Sequence, residues 1–196
     1  MFRLVHTCNR PYWYVQISIP EHLPALMDIV RTNPELQHLL EKYSPRPGET
    51  QLPQSPFLYF GTGGPTTELH YDSFENMIFM ADGAKNFVLI KPSDASLFLY
   101  SGKKRGGGDQ RNKSPIDLSE WPNDRQHPLS RFALPLQVTV RRGDILYVPI
   151  YWFHRVQSSV SRSASLTFWW SAERQKKDLV GKVLCGYRHS RASHGC

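Results

Sequence analysis

Two histidines and an aspartate are the residues of this chain best suited to bind a metal ion. His70 and Asp72 stand two apart, and His154 follows far downstream in an aromatic segment. On a β-strand, residues two apart point to the same face, so His70 and Asp72 can grip one ion. Two imidazoles and one carboxylate on one face of an octahedron leave three positions open. That arrangement suits non-haem Fe(II), which must bind a cosubstrate and O₂.

Each part of this motif also has a simpler explanation. A His-x-Asp triplet occurs by chance on protein surfaces, so the triplet alone is weak evidence of a metal site. His154 follows Tyr151, Trp152 and Phe153, and it could be a partly buried histidine stacked among aromatic rings. The surrounding residues must decide between these explanations.

The composition favours one globular domain that is rich in strands. The chain has 196 residues, of which 40% are hydrophobic, with 15 prolines and 13 glycines. Cys8, Cys185 and Cys196 show no Cys-x-x-Cys spacing, which argues against a disulfide framework or a zinc finger. There is no 18-residue apolar stretch and no apolar signal-peptide segment, so we expect a cytoplasmic or nuclear protein that does not enter a membrane.

Apolar periodicity predicts a mainly β fold with a few helices. A strand is predicted over 12–19 and helices over 21–30 and from Pro34, where Asn33 supplies an N-cap and Leu36, Leu39, Leu40 and Tyr43 recur at helical spacing. A proline-rich loop over 44–56 follows, and Asp82-Gly83 predicts a tight β-hairpin turn. Short strands without alternating helices indicate a sandwich or jelly roll. Further strands are predicted over 57–60, 66–72, 76–80, 86–90, 136–140, 145–148 and 165–169.

Two regions fall outside this pattern of strands. Residues 101–128 are rich in Gly, Lys and Arg, carry few apolar residues beyond Ile116, Leu118 and Trp121, and read as a long insertion. Ser171 could cap a last helix whose apolar stripe is more typical of core than of a partner surface. We therefore expect a single domain over 1–196, with a β core over about 57–170, the insertion over about 101–128, and a C-terminal helix and tail over 171–196.

The order of the motifs resembles the JmjC family of Fe(II)- and 2-oxoglutarate-dependent oxygenases. The matching segments run from Thr67 to Asp72, through Glu75-Asn76, from Asp82 to Lys85, and from Gly143 to His154. The resemblance covers about 12–170 without the insertion, and within the family it is closer to the small asparaginyl and lysyl hydroxylases. It implies a double-stranded β-helix, cupin-like, with iron at its mouth.

The resemblance also implies a role for each matching residue. His70, Asp72 and His154 match the iron ligands of the catalytic centre. Lys85 matches the lysine that binds the distal carboxylate of 2-oxoglutarate, and an ammonium is chemically suited to that task. Four further residues match positions near the cosubstrate: Thr67 and Tyr14 as hydroxyl donors, Asn76 beside the metal, and Thr167 where the asparaginyl hydroxylase has an asparagine.

Several functions remain open at this point. Hydroxylation of a protein side chain ranks first, demethylation of N-methyl-lysine second, and hydroxylation of RNA third, the last resting on a net charge of +7. A JmjC-like binding module without catalysis is the alternative of a different class. The cofactors implied are Fe(II), 2-oxoglutarate and O₂, the partner is a protein substrate or nucleic acid, and a homodimer is possible because related hydroxylases form dimers.

Overall fold

The computed structural model describes residues 13–43, 54–94, 112–119, 121–123, 125 and 127–171. These ranges contain short helices near the N-terminal end, followed by a body of strands. None of the described helices is long and apolar enough to cross a membrane. The elements are β1 Trp13–Ser18, α1 Ile19–His22, α2 Pro24–Thr32, α3 Pro34–Tyr43, β2 Gln54–Thr62, β3 Phe74–Asp82, β4 Ala84–Ile90, β5 Leu136–Arg141, β6 Ile145–Val148, β7 Phe153–Ser158 and β8 Ser163–Ser171.

The strands form two antiparallel sheets. The larger sheet has the order β1-β2-β8-β3-β6, and the smaller one has the order β5-β4-β7. Ile78 and Met80 of the larger sheet share a buried cluster with Phe87, Leu89 and Val140 of the smaller one, so the two sheets face each other. The prediction of a mainly β fold with a few flanking helices is confirmed.

The helices cover the outer face of the larger sheet. Ile19 and Val30 are buried there against Met77, Phe168 and Trp170. Strands β3 and β8 are therefore buried on both faces, with one set of alternate residues facing the helices and the other facing the smaller sheet. On β8, Ser163, Ser165, Thr167 and Trp169 form the set that faces inward.

The predicted hairpin at Asp82-Gly83 is wrong. Strands β3 and β4 are consecutive in the chain, but β3 pairs with β6 and β8, whereas β4 pairs with β5 and β7. Gly83, with φ +72°, carries the chain from one sheet to the other. A Cβ at this position would lie 2.3 Å from the backbone oxygen of Arg162. The glycine therefore serves a close approach between two backbones rather than a hairpin turn.

Other predicted elements differ in their bounds. The helix predicted over 21–30 is two helices, because Leu23 has φ −134° ahead of Pro24, and a residue before proline disfavours the helical conformation. The third helix begins as predicted, with Leu36 N–H donating to Asn33 Oδ1 at 2.8 Å. Residues 66–72 form only isolated bridges and not a strand, and β7 was not among the predicted strands.

The last predicted element lies outside the described residues. The expected helix and tail begin at Ser171, which the structure shows as the final residue of β8. The proposed domain boundaries therefore stay a prediction.

Candidate metal centre

The three predicted metal ligands come together at one end of the space between the sheets. His70 and Asp72 lie on the segment that precedes β3, and His154 lies on β7. One ligand atom from each of the three lies within 4.8 Å of the others, and His154 Nε2 is 3.6 Å from Asp72 Oδ2. Two imidazoles and a carboxylate at this separation match the donor set of a facial triad.

Backbone hydrogen bonds hold the two histidines side by side. His70 N–H donates to His154 O at 3.1 Å, and His154 N–H donates to His70 O at 2.6 Å. Residues directly opposite in such an antiparallel pair project to the same face. The ring centroids of the two histidines are accordingly 4.3 Å apart. A single bridge between His70 and His154 thus brings the two side chains together, although residues 66–72 do not form the predicted strand.

Each histidine ring is oriented through its Nδ1 atom. His70 Nδ1 lies 2.7 Å from Glu68 O, and His154 Nδ1 lies 3.1 Å from Trp152 O. A carbonyl accepts the Nδ1–H proton, so this contact selects the tautomer in which Nε2 carries the lone pair. Both Nε2 atoms are thereby free to bind a metal ion.

Burial keeps one of the ligands uncharged. His154 is 4% exposed. Burial lowers the pKa of its imidazole to about 4, with the electrostatic effect of His70 lowering it further and Asp72 opposing the shift. A neutral imidazole is the form that binds metal. At neutral pH His154 therefore needs to lose no proton before it can act as a ligand.

Lys85 lies deeper in the same interior. On β4 it points to the same face as Leu89, whose partner across the sheet is His154. Leu89 lies four positions along the strand from Lys85, which corresponds to about 13 Å. Lys85 and His154 therefore project from neighbouring strands into the same space between the sheets.

The Lys85 ammonium is buried without a carboxylate partner among the described residues. It is 4% exposed, donates to Ser165 Oγ at 2.7 Å, and lies 5.4 Å from the ring centroid of Tyr59. Burial lowers its pKa to about 8. A ligand carboxylate would stabilise the charged form and replace the lost hydration.

Two of the residues around Lys85 were missed in the sequence, namely Tyr59 and Ser165. Tyr14, which was predicted, packs against Tyr59 with ring centroids 5.9 Å apart. Burial raises the pKa of both tyrosines, and the charge of Asp72 raises that of Tyr59 further. The signal for Ser165 was present as a polar stripe at period two, since Ser163 and Thr167 flank it on an otherwise apolar strand.

Thr67 lies at the edge of this region and is tied to β7. Its Oγ1 accepts the backbone N–H of Val156 at 3.0 Å, and its own hydroxyl lies 3.5 Å from Val156 O. The second distance is longer than a normal O–H···O hydrogen bond. The hydroxyl proton of Thr67 can therefore still be donated to a ligand.

Asn76 and Thr167 are buried on neighbouring inner strands. Asn76 pairs directly with Trp169, and Asn76 Oδ1 and Trp169 Nε1 are both buried without a hydrogen-bond partner among the described residues. Buried polar atoms normally find a partner. An unpaired acceptor and an unpaired donor on the inner face of the larger sheet fit a site that takes a polar ligand.

A model of the family described as a cupin-like domain matches residues 4–176. The chain belongs to the cupin-like JmjC family. A human relative is the bifunctional peptidase and (3S)-lysyl hydroxylase JMJD7, which is 28% identical over 182 residues, covering 85% of this chain and 55% of that protein.

Two other relatives are named as a demethylase and as a protein of tRNA wybutosine synthesis. The lysine-specific demethylase JMJ30 of Arabidopsis thaliana is 30% identical over 122 residues, covering 61% of this chain and 27% of that protein. The tRNA wybutosine-synthesizing protein 5 of Gallus gallus is 32% identical over 100 residues, covering 51% of this chain and 29% of that protein. The chain thus spans about half, or less, of the length of these relatives.

In this JmjC chain the described end of the insertion contacts the segment that carries His70. Tyr71 N–H donates to Asn112 O at 3.0 Å, and Ser114 N–H donates to Leu69 O at 2.9 Å. The segment that carries His70 is thus held by β7 on one edge and by 112–114 on the other. The apolar residues of the insertion, Ile116, Leu118 and Trp121, pack with Leu69 and Phe153. This part of the insertion supports the segments that carry the histidines.

Proposed function

We propose that this chain is an Fe(II)- and 2-oxoglutarate-dependent dioxygenase that hydroxylates a protein side chain and releases succinate and CO₂. The observation that carries the proposal is the His70, Asp72 and His154 cluster, whose ligand atoms lie within 4.8 Å of one another, together with a buried lysine on the same inner face. A metal site alone would leave Lys85 unexplained, because a buried ammonium without a counter-ion is unfavourable.

Each residue has a distinct task in this proposal. His70, Asp72 and His154 would hold the iron, and their carbonyl and backbone contacts fix their orientation before the metal arrives. Lys85 would bind the distal carboxylate of 2-oxoglutarate, with Thr67 and Tyr14 as hydroxyl donors. Asn76 and Thr167 would add two polar side chains to the surroundings of the cosubstrate. Iron, 2-oxoglutarate and O₂ would together supply the oxidation of an unactivated C–H bond.

The surroundings of Lys85 strengthen its attraction for a carboxylate. The aromatic rings of Tyr14 and Tyr59 and the apolar residues between the sheets surround this region, in which Lys85 is 4% exposed. A charge pair gains more energy in such a medium than it does in water. The same walls would keep bulk water away from the reacting C–H bond.

The choice of a protein substrate rests on the relatives. JMJD7 is named as a lysyl hydroxylase, whereas the wybutosine-synthesizing protein is named for tRNA. The +7 charge of the chain would also suit RNA. Protein and RNA substrates are thus the two classes that a direct test should separate.

The test measures succinate formation from 2-oxoglutarate with Fe(II) and ascorbate in the presence of a peptide pool or an RNA pool. We expect succinate above background and a +16 Da product in the peptide pool, with both lost in His154→Ala. The matched control is His38→Ala, which removes an exposed histidine of α3 and should keep full turnover. A +16 Da product in RNA alone would overturn the choice of substrate. Background turnover with tight 2-oxoglutarate binding would instead favour the binding module.

A further inference from the structure

Glu75 is a buried carboxylate that has no task in the function proposed above. It is 3% exposed and lies on β3, beside Asn76 but facing the opposite way. Its Oε2 accepts the hydroxyl of Tyr147 at 2.6 Å and the backbone N–H of Ile150 at 2.9 Å. A buried carboxylate with two donors from one short stretch of chain fixes that stretch in place.

The stretch that Glu75 holds is the turn leading into β7. Tyr151 has φ +65°, a conformation that residues other than glycine rarely adopt. Trp152 N–H donates to Pro149 O at 3.2 Å, which closes the turn. A turn with a residue in this conformation needs outside contacts to hold it.

This turn contacts two of the three candidate metal ligands. Tyr151 N–H donates to Asp72 O at 3.0 Å, and Trp152 O lies 3.1 Å from His154 Nδ1. The turn therefore fixes the backbone of Asp72 and the ring of His154 at the same time. A shift of the turn would therefore move the backbone of Asp72 and disturb the contact that orients the His154 ring.

We infer that Glu75 is a positioning residue, which anchors the 149–152 turn and through it sets the geometry of Asp72 and His154. The inference rests on the proposed metal site but not on the reaction that the site performs. Glu75 is not one of the three candidate ligands, and it acts through Ile150 and the turn. Replacing a residue that orients metal ligands typically lowers metal affinity 10- to 100-fold.

The test compares Glu75→Ala with Met77→Ala. Met77 lies two residues along the same strand, points to the same outer face and is 3% exposed, so its truncation also destabilises the fold but leaves the turn intact. With Mn(II) as the probe, we expect affinity to fall about 10- to 100-fold in Glu75→Ala and to stay within about twofold in Met77→Ala. Glu75→Gln, which keeps an acceptor oxygen, should recover most of the affinity.

A second measurement separates this inference from the proposed function. In metal-free protein, the amide hydrogens of Tyr151 and His154 should exchange faster with solvent in Glu75→Ala but not in Met77→Ala. Faster exchange in a chain that binds no Mn(II) would support the anchor and refute the metal site. Unchanged exchange, or equal affinity of the two variants in a chain that does bind Mn(II), would overturn the role of Glu75.

Discussion

His70 and His154 exchange both of their backbone hydrogen bonds, at 3.1 and 2.6 Å, and this pairing places their rings on one face. The two residues come from distant parts of the chain, yet the register of one bridge sets their separation. Glu68 O and Trp152 O then orient the rings. The candidate metal site is therefore oriented largely by backbone groups, whose positions depend on the surrounding fold.

Replacing Lys85 should change stability and cosubstrate affinity in opposite directions. At pH 7 the buried ammonium is unfavourable in the ligand-free protein, so Lys85→Met should raise the free energy of unfolding by about 1–2 kcal/mol. The same change should weaken 2-oxoglutarate binding on the order of 100-fold. Denaturant unfolding and calorimetric titration measure the two effects. Lys91→Met removes an exposed lysine next to β4 and should change neither.

The same lysine should make the free energy of unfolding of the ligand-free protein depend on pH. The pKa of Lys85 is about 8 in the folded protein, against 10.5 ordinarily. Between these two pH values Lys85 binds more protons in the unfolded chain than in the folded one. The free energy of unfolding therefore rises with pH through this window. Below pH 8 both states are protonated and the full cost of burial is present. The advantage of Lys85→Met should therefore shrink as pH rises from 8 to 10, and a constant advantage would contradict this explanation.

Gly83→Ala should destabilise the fold far more than Gly143→Ala does. Both glycines have positive φ, but a Cβ at Gly83 meets the Arg162 backbone oxygen at 2.3 Å, whereas a Cβ at Gly143 meets nothing within 4 Å. We expect a loss of about 3 kcal/mol or more at position 83 and about 1–2 kcal/mol at position 143. Equal losses in denaturant unfolding would show that the connection between the sheets is not tightly packed.

The insertion should contribute to stability and to the metal site together. Ile116 is 4% exposed and packs with Leu69 and Phe153, each next to a candidate ligand histidine. Ile116→Ala should lower the free energy of unfolding by about 2–4 kcal/mol and weaken Mn(II) binding. Leu129→Ala, at a residue that is 57% exposed, should change each by little. If Ile116→Ala were as stable as the unchanged chain, the insertion would not contribute to the hydrophobic core.

Local sequence signals were sufficient for most of the strands, although not for β7, and for choosing the candidate ligands. Period-two alternation marked most strands, and the Asn33 cap marked the start of α3. These signals depend on near neighbours in the chain. For the same reason the triplet of His70 and Asp72 was visible without knowledge of the fold.

The features that sequence reasoning missed depend on distant contacts. Asp82-Gly83 has the composition of a hairpin turn, but the requirement that decided its structure is the approach of Arg162. Tyr59, Ser165 and Glu75 have ordinary neighbours in the sequence, and their roles arise from β4, β8 and the 149–152 turn. Pairing between strands, which no local window contains, determined each of these cases.

The central claim is that the three ligands and Lys85 form one site for a metal and a dicarboxylate. Calorimetric titration of 2-oxoglutarate into the chain, with and without saturating Mn(II), tests it most directly. We expect tight binding of one equivalent only when the metal is present, and its loss in His154→Ala but not in His38→Ala. Equal 2-oxoglutarate affinity with and without metal, or unchanged affinity in His154→Ala, would contradict the claim.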